Sequence, residues 1–166
     1  MTDFPTMLRN ARTPADIFEV VKAAVWRSAR LCRGGLMLGL ADLGNHPQGW
    51  FGEFFQVGSN FIVMNKVPLQ RIRETSPHLY KPYVFHVLLH EYIHSLGYLD
   101  EERVRRKVCD ITRALFGEEH VATKMAEDPT AFIEHLAYPD VSWAPGELSI
   151  ELVDGFDRSS TAGYIG

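Results

Sequence analysis

Two histidines and one glutamate lie within five consecutive residues, as His90, Glu91 and His94. On an α-helix, residues four positions apart share one face, about 6 Å apart along the axis, so both imidazoles can contact one metal ion. Neutral imidazole nitrogens bind Zn²⁺ at about 2.0–2.1 Å. A carboxylate beside the first imidazole can take a proton from the water that such a metal activates. The spacing H-E-x-x-H therefore predicts a zinc site with His90 and His94 as metal ligands and Glu91 as the general base.

The helix that carries this motif is predicted to begin at Pro82 and to end at Gly97, which suits a left-handed C-terminal position. It is apolar on nearly every side, which is typical of a helix buried in a core. Burying His90, Glu91 and His94 there is costly unless the imidazoles are bound and the carboxylate is hydrogen-bonded, and this cost favours a functional site. The alternative is that the three residues lie on the surface or are satisfied core groups.

The elements around this helix predict an α+β fold with a small mixed or antiparallel sheet and further C-terminal helices. We predict strands at residues 36–43, 50–57 and 60–66, with the last two forming a hairpin, and a possible strand at 148–153. We predict helices from Thr13, at 68–74, at 101–116, at 118–127 and at 129–137. No repeat or linker divides the chain, so residues 1–166 are expected to form one domain, with 155–166 as a flexible tail.

Composition narrows the class of protein. The 166 residues are 46% hydrophobic and 23% charged, with a formal charge of −4, which is ordinary for a soluble domain. This charge gives no reason to expect a nucleic-acid or membrane surface, and no secretory signal or membrane-spanning stretch is evident. We therefore expect a cytoplasmic protein in which Cys32 and Cys109 are reduced, buried thiols.

The string H-E-Y-I-H-S-L-G-Y-L-D, from His90 to Asp100, resembles the active-site signature of the zincin metallopeptidases. It is most similar to the extended metzincin form, with aspartate in place of the last histidine. The resemblance implies that His90 and His94 bind zinc, that Glu91 is the general base, and that Gly97 lets the chain turn so that Asp100 brings the third ligand. It also implies a sheet before the helix, whose edge strand, expected at residues 60–66, holds an extended substrate.

The chain also departs from the metzincin pattern. The third histidine is absent, and other zincins take a glutamate from a later helix as the third ligand. The rivals to Asp100 are therefore Glu101, Glu102, Glu118 and Glu119. Asp100 also suits the N-cap of the next helix. Met125 is the only methionine after the motif, and it lies in a predicted helix rather than in a methionine turn.

Other residues near the motif have simpler interpretations. His86 extends the histidine stripe by one turn and could line the cleft or support a metal ligand, although we favour its being a core or surface residue. Tyr83 or Tyr98 could stabilise an oxyanion, although nothing in the sequence selects either. The basic cluster is expected to be a solvated helix face that pairs with nearby acids. It comprises Arg103, Arg105, Arg106 and Lys107.

These residues together predict a Zn²⁺-dependent hydrolase, and specifically a small intracellular metallopeptidase that acts on a peptide or protein substrate. One alternative is a zinc-binding scaffold of the same fold with a regulatory or protein-interaction role and little peptidase activity. Another is a metal-free helical interaction module in which the motif is accidental. The intact Glu91 favours an enzyme over a scaffold, because a scaffold has no need of the base.

Overall fold

The computed structural model describes residues 3–47, 53–55 and 59–158. This part of the chain is a mixed α+β structure in which seven α-helices accompany one small mixed sheet. The helices are α1 Phe4–Asn10, α2 Pro14–Ala29, α3 Lys66–Thr75, α4 Tyr80–Ser95, α5 Glu101–Phe116, α6 Val121–Glu127 and α7 Ile133–Leu136. The strands are β1 Met37–Ala41, β2 Glu53–Phe55, β3 Phe61–Asn65 and β4 Glu151–Leu152. Two 3₁₀ turns precede α4 and α7, at Pro77–Leu79 and Pro129–Phe132.

Capping side chains set the starts of several helices. Thr13 accepts a hydrogen bond from the backbone N–H of Asp16, and the Asp16 carboxylate accepts one from the N–H of Thr13, which completes a capping box at α2. Asp3 accepts a bond from the N–H of Thr6 and starts α1 in the same way. The sequence interpretation missed α1, because this helix has only seven residues and little apolar periodicity.

The sheet has the strand order β2-β3-β1-β4. Strands β1 and β3 run parallel, β2 pairs with β3 antiparallel, and the two-residue β4 pairs with β1 antiparallel. The predicted hairpin is confirmed where β2 meets β3, while residues 50–52 and 56–57 of the predicted strand lie outside the described residues. The prediction that residues 60–66 form an edge strand is wrong. Strand β3 pairs with β1 on one side and with β2 on the other, so it lies inside the sheet.

Helix α4 is the centre of the core. It packs against α2, α5 and α6 and contacts the sheet through β2. Its large apolar side chains are fully buried, which confirms the burial predicted from its sequence; they are Tyr83, Val84, Phe85, Val87, Leu88, Leu89 and Tyr92. Burial of an apolar side chain contributes about 1.5–3 kcal/mol, so these residues fix α4 in the core.

The start of the predicted C-terminal tail is docked against α2 and the residue that precedes β1. The ring of Phe156 stacks on Phe18, with ring centroids 4.2 Å apart. The buried Asp157 carboxylate accepts hydrogen bonds from Lys22 Nζ at 2.9 Å and from the N–H of Leu36 at 3.0 Å. Residues 159–166, the rest of that predicted tail, lie outside the described residues.

The two cysteines differ in exposure. Both cysteines are free thiols, but Cys32 is exposed and only Cys109 is partly buried, so the predicted burial of Cys32 is wrong. Cys32 follows the end of α2, where the chain leaves the core. Among the described helices, none is both long enough and apolar enough to cross a lipid bilayer.

Candidate metal site

The last two turns of α4 bring His90, Glu91 and His94 together. One potential ligand atom from each of the three residues lies within 4.8 Å of the other two. The imidazole rings of His90 and His94 have centroids 5.0 Å apart. His90 and Glu91 are buried, and His94 is half-buried. This group could hold a metal ion, as the H-E-x-x-H spacing predicts.

A second carboxylate reaches the same two imidazoles from the first residue of α5. Oε1 of Glu101 lies 3.2 Å from Nε2 of His90 and 2.5 Å from Nε2 of His94. Ligand atoms around a tetrahedral zinc ion lie about 3.3 Å apart, given bonds of about 2.0–2.1 Å. The 3.2 Å between the His90 nitrogen and the Glu101 oxygen matches this spacing, whereas the 2.5 Å between the His94 nitrogen and the same oxygen is a shorter, hydrogen-bonded contact.

The turn between α4 and α5 explains why Glu101 is in place. Gly97 has a φ of +106°, a left-handed conformation in which L side chains are strained. The chain reverses there, and Asp100 starts α5 by accepting a hydrogen bond from the N–H of Glu102 at 3.2 Å. The structure thus uses Asp100 as the N-cap and places Glu101, its neighbour, against the imidazoles. Asp100 as a metal ligand stays a prediction.

The other predicted rivals lie apart from the two imidazoles. Glu102 is on the first turn of α5 and lines the same cleft. Glu118 and Glu119 are exposed at the turn after α5, where Glu119 lies 3.7 Å from Lys124. Glu91 is 4.0 Å from Nε2 of His90, which is beyond hydrogen-bonding distance and farther than Glu101.

A backbone carbonyl fixes the orientation of His94. Its Nδ1 lies 2.8 Å from the carbonyl oxygen of Tyr98. Because a carbonyl only accepts, Nδ1 must carry the proton and donate. Nε2 is then the nitrogen available to a metal. A histidine ligand whose other nitrogen is held in this way is typical of metal sites in proteins.

Burial and neighbouring charges shift the pKa values of the site. Burial lowers the pKa of His90 and outweighs the opposing effect of Glu101, so the neutral imidazole that a metal requires is favoured. Burial raises the pKa of the Glu101 carboxyl, but hydrogen bonds and charge from His90 and His94 outweigh that effect, and its pKa is lowered. The site therefore favours neutral His90 beside ionised Glu101.

His86 is buried one turn before His90, with ring centroids 6.5 Å apart. Burial lowers its pKa to about 3, with a smaller contribution from the charge of His90. The interpretation of His86 as a core or surface residue is only partly right. It is buried, yet it also lines the cleft beside the site.

A cleft of about 610 Å³ opens over the site, and we call it the α4–α5 cleft. One wall is the histidine face of α4, the second is the face of α5 that carries Glu101, Arg105 and Arg106, and the third is the segment from Ala126 to Thr130. The predicted basic cluster is therefore divided. Arg105 and Arg106 line the cleft, whereas Arg103 and Lys107 lie over the ring of Tyr98.

The sequence interpretation did not place Arg105 and Arg106 beside the site. A signal was present, because Arg105 is four residues after Glu101 and so shares its helix face. Tyr83 is fully buried in the core, and neither its ring nor that of Tyr98 is among the described residues that line the cleft. Met125 is buried in α6.

Arg33 was also missed, and it holds the end of α4. Its guanidinium donates to the carbonyl of Ser95 at 2.7 Å and to the carbonyl of Ser59 at 3.0 Å. Its backbone N–H donates to the hydroxyl of Tyr92 at 2.9 Å. Carbonyls at a helix end lack intrahelical partners, so Arg33 fixes the turn that carries His94. No local sequence signal could have found contacts across such a separation in the chain.

Comparisons with known proteins identify no relative: no family model, no curated protein and no solved structure matches this chain.

Proposed function

We propose that this chain is a zinc-dependent hydrolase, and specifically a small metallopeptidase of the zincin type. One observation carries the proposal. Two imidazoles from one turn of a buried helix meet a carboxylate from the start of the next helix, whose Oε1 lies 3.2 Å from Nε2 of His90 and 2.5 Å from Nε2 of His94. A second carboxylate, that of the buried Glu91, lies beside them and lines an open cleft.

The residues that would hold the metal are His90, His94 and Glu101. Three protein ligands are what a catalytic zinc site takes, since the fourth position must stay open. When bound, the ion supplies Lewis acidity, which makes water a stronger acid and polarises a substrate carbonyl. Glu101 replaces Asp100 in this proposed set because its carboxylate already contacts both imidazoles, whereas that of Asp100 caps α5.

Glu91 would carry the proton. Its carboxylate is buried and lies 4.0 Å from Nε2 of His90, so it sits beside the ligands rather than between them. From there it accepts a proton from the attacking water as the water oxygen bonds to the carbonyl carbon. It then donates that proton to the amide nitrogen as the C–N bond breaks, which leaves a carboxylic acid and an amine.

The test replaces the base and leaves the ligands intact. Peptide cleavage by the wild-type protein and by Glu91→Gln is measured by mass spectrometry on a mixed peptide library, together with the zinc content of each sample. We expect Glu91→Gln to keep its zinc and to lose at least about 100-fold in rate, the usual range for a general base. Glu118→Gln, which removes an exposed carboxylate outside the cleft, serves as the matched control and should cleave at the wild-type rate.

Two outcomes contradict the proposal. Undiminished cleavage by Glu91→Gln would exclude Glu91 as the base. A wild-type protein that holds zinc but cleaves nothing in the library would favour the zinc-binding scaffold over the peptidase.

A further inference from the structure

We propose that Arg105 and Arg106 select substrates that carry a carboxylate close to the scissile bond. The inference rests on the proposed function, because it concerns the substrate of that same site. The carboxylate is either the free C-terminus of a peptide or the side chain of an aspartate or glutamate next to the cleaved bond. Both sources present the same planar, singly charged group.

Arg105 and Arg106 lie beside the proposed metal site. Arg105 is one helical turn beyond Glu101 on the same face of α5, and its Nε lies 3.8 Å from Oε2 of Glu101. Arg106 lines the same cleft. Helix α5 packs against α4 and α6, so both guanidinium groups project from a fixed backbone. They are placed beside the reaction site without being part of the metal-binding group.

The charge of the cleft also favours an anionic ligand. Glu101 contacts the His90 imidazole at 3.2 Å and lies farther from Arg105, at 3.8 Å, while Glu127 pairs with Arg113 at 3.2 Å. The Arg105 side chain is 70% exposed, so its guanidinium can reach a bound molecule. A guanidinium presents parallel N–H donors that match the two oxygens of a carboxylate. Glu102 also lines the cleft, so we expect a preference for a single carboxylate rather than for a polyanion.

The distance from the arginines to the proposed metal site limits where a bound carboxylate can lie. The Arg105 backbone is one turn of α5, about 6 Å, from that of Glu101, and its Nε lies only 3.8 Å from Oε2 of Glu101. An extended peptide covers at most about 3.3–3.6 Å per residue. A carboxylate bound by the arginines therefore lies one or two residues from a carbonyl at the metal site. Substrates that fit this spacing are peptides cut near their C-terminus or next to an acidic residue.

Binding rather than turnover tests the inference. Zinc-treated Glu91→Gln protein is titrated by calorimetry with four N-acetylated, alanine-rich hexapeptides. They carry Glu or Gln at the fifth position and a free or an amidated C-terminus. We expect at least one carboxylate-bearing peptide to bind about tenfold more tightly than the Gln amide peptide, as a charge-assisted pair provides. The preference should fall below about twofold when Arg105→Gln and Arg106→Gln are added.

Control variants separate specific from general effects. Arg103→Gln removes an arginine from the same helix that stacks on Tyr98 and does not line the described cleft, and it should keep the preference. Arg106→Gln alone leaves the Arg105–Glu101 pair intact and should lose part of the preference even if the double substitution fails to fold.

The relative affinities of the four peptides identify the source of the carboxylate. Tight binding of the free acids identifies the C-terminus as the carboxylate source, and tight binding of the Glu peptides identifies a side chain. Equal affinity for all four peptides, no measurable binding of any, or a preference that survives both substitutions would overturn the inference. The zinc content of the same samples reports separately on the proposed function, so the failure of one can be told from the failure of the other.

Discussion

Oε1 of Glu101 lies 2.5 Å from Nε2 of His94, so the first residue of α5 contacts the last turn of α4 at the ring nitrogen that does not bond the Tyr98 carbonyl. The same oxygen lies 3.2 Å from Nε2 of His90. One carboxylate thus joins both imidazoles across a tight turn. This arrangement makes Glu101 the strongest candidate for a third metal ligand.

The first prediction concerns that ligand. Loss of a residue that only hydrogen-bonds a metal ligand lowers metal affinity by roughly 10–100-fold. Because Glu101 is proposed to bind the metal itself, Glu101→Gln should lower the zinc affinity by more than this. Asp100→Asn should change it little, because asparagine caps a helix as well as aspartate does. Competition with a chromophoric chelator measures both affinities. A larger loss in Asp100→Asn than in Glu101→Gln would return the third ligand to Asp100.

The second prediction concerns the turn at Gly97. A Cβ added there would have no atom within 4 Å, so the cost of Gly97→Ala comes from its φ of +106° alone. We expect the free energy of unfolding to fall by about 1–2 kcal/mol, together with weaker metal binding, since the turn aims Glu101. Urea unfolding measures the change. Gly146→Ala is the control, because its Cβ also meets nothing and its φ is not in the left-handed region. Equal losses in the two variants would contradict this explanation.

The third prediction concerns acid stability. His86 has a pKa of about 3 in the folded protein, against its ordinary value of 6.5, because burial disfavours its charge. Between pH 3 and pH 6.5, His86 is protonated in the unfolded chain but not in the folded protein. The free energy of unfolding therefore falls as the pH drops below 6.5. The loss from this residue by pH 3 is on the order of 4 kcal/mol, at 1.36 kcal/mol for each pKa unit.

Urea unfolding of the metal-free protein across this pH range tests the role of His86. His86→Leu should flatten the fall in stability below pH 6.5, because leucine does not titrate. A variant that loses as much stability as the wild type over that range would show that other groups cause the acid sensitivity.

The sequence predicted well those features that depend on neighbouring residues. The burial of α4, the pairing of imidazoles four residues apart and the start of α5 at Asp100 follow from helical spacing and capping, and the structure has all three. The choice between Asp100 and Glu101 could not be made, because adjacent residues at a helix start differ only in where the turn directs their side chains.

Features that depend on distant parts of the chain were missed or predicted wrongly. Strand β3 is interior because β1 pairs with it in parallel. The hairpin signal in the sequence predicts only the pairing of β3 with β2. Arg33 reaches the end of α4 across a long separation in the chain. The solvated face predicted for the basic cluster agrees with the structure at Arg105, which is exposed and lies 3.8 Å from Glu101. The cleft that Arg105 and Arg106 line was missed, because one of its walls is formed by residues 126–130, whose approach is a property of the fold.

The most direct test of the account is the zinc content of the purified protein beside that of the His90→Ala/His94→Ala double variant. Elemental analysis after exposure to zinc and removal of excess metal should give about one zinc ion per wild-type chain and close to none in the variant. Circular dichroism spectra of both proteins would check that the variant is folded. A wild-type protein without zinc, or a variant that holds as much zinc as the wild type, would contradict the assignment of His90 and His94 as metal ligands.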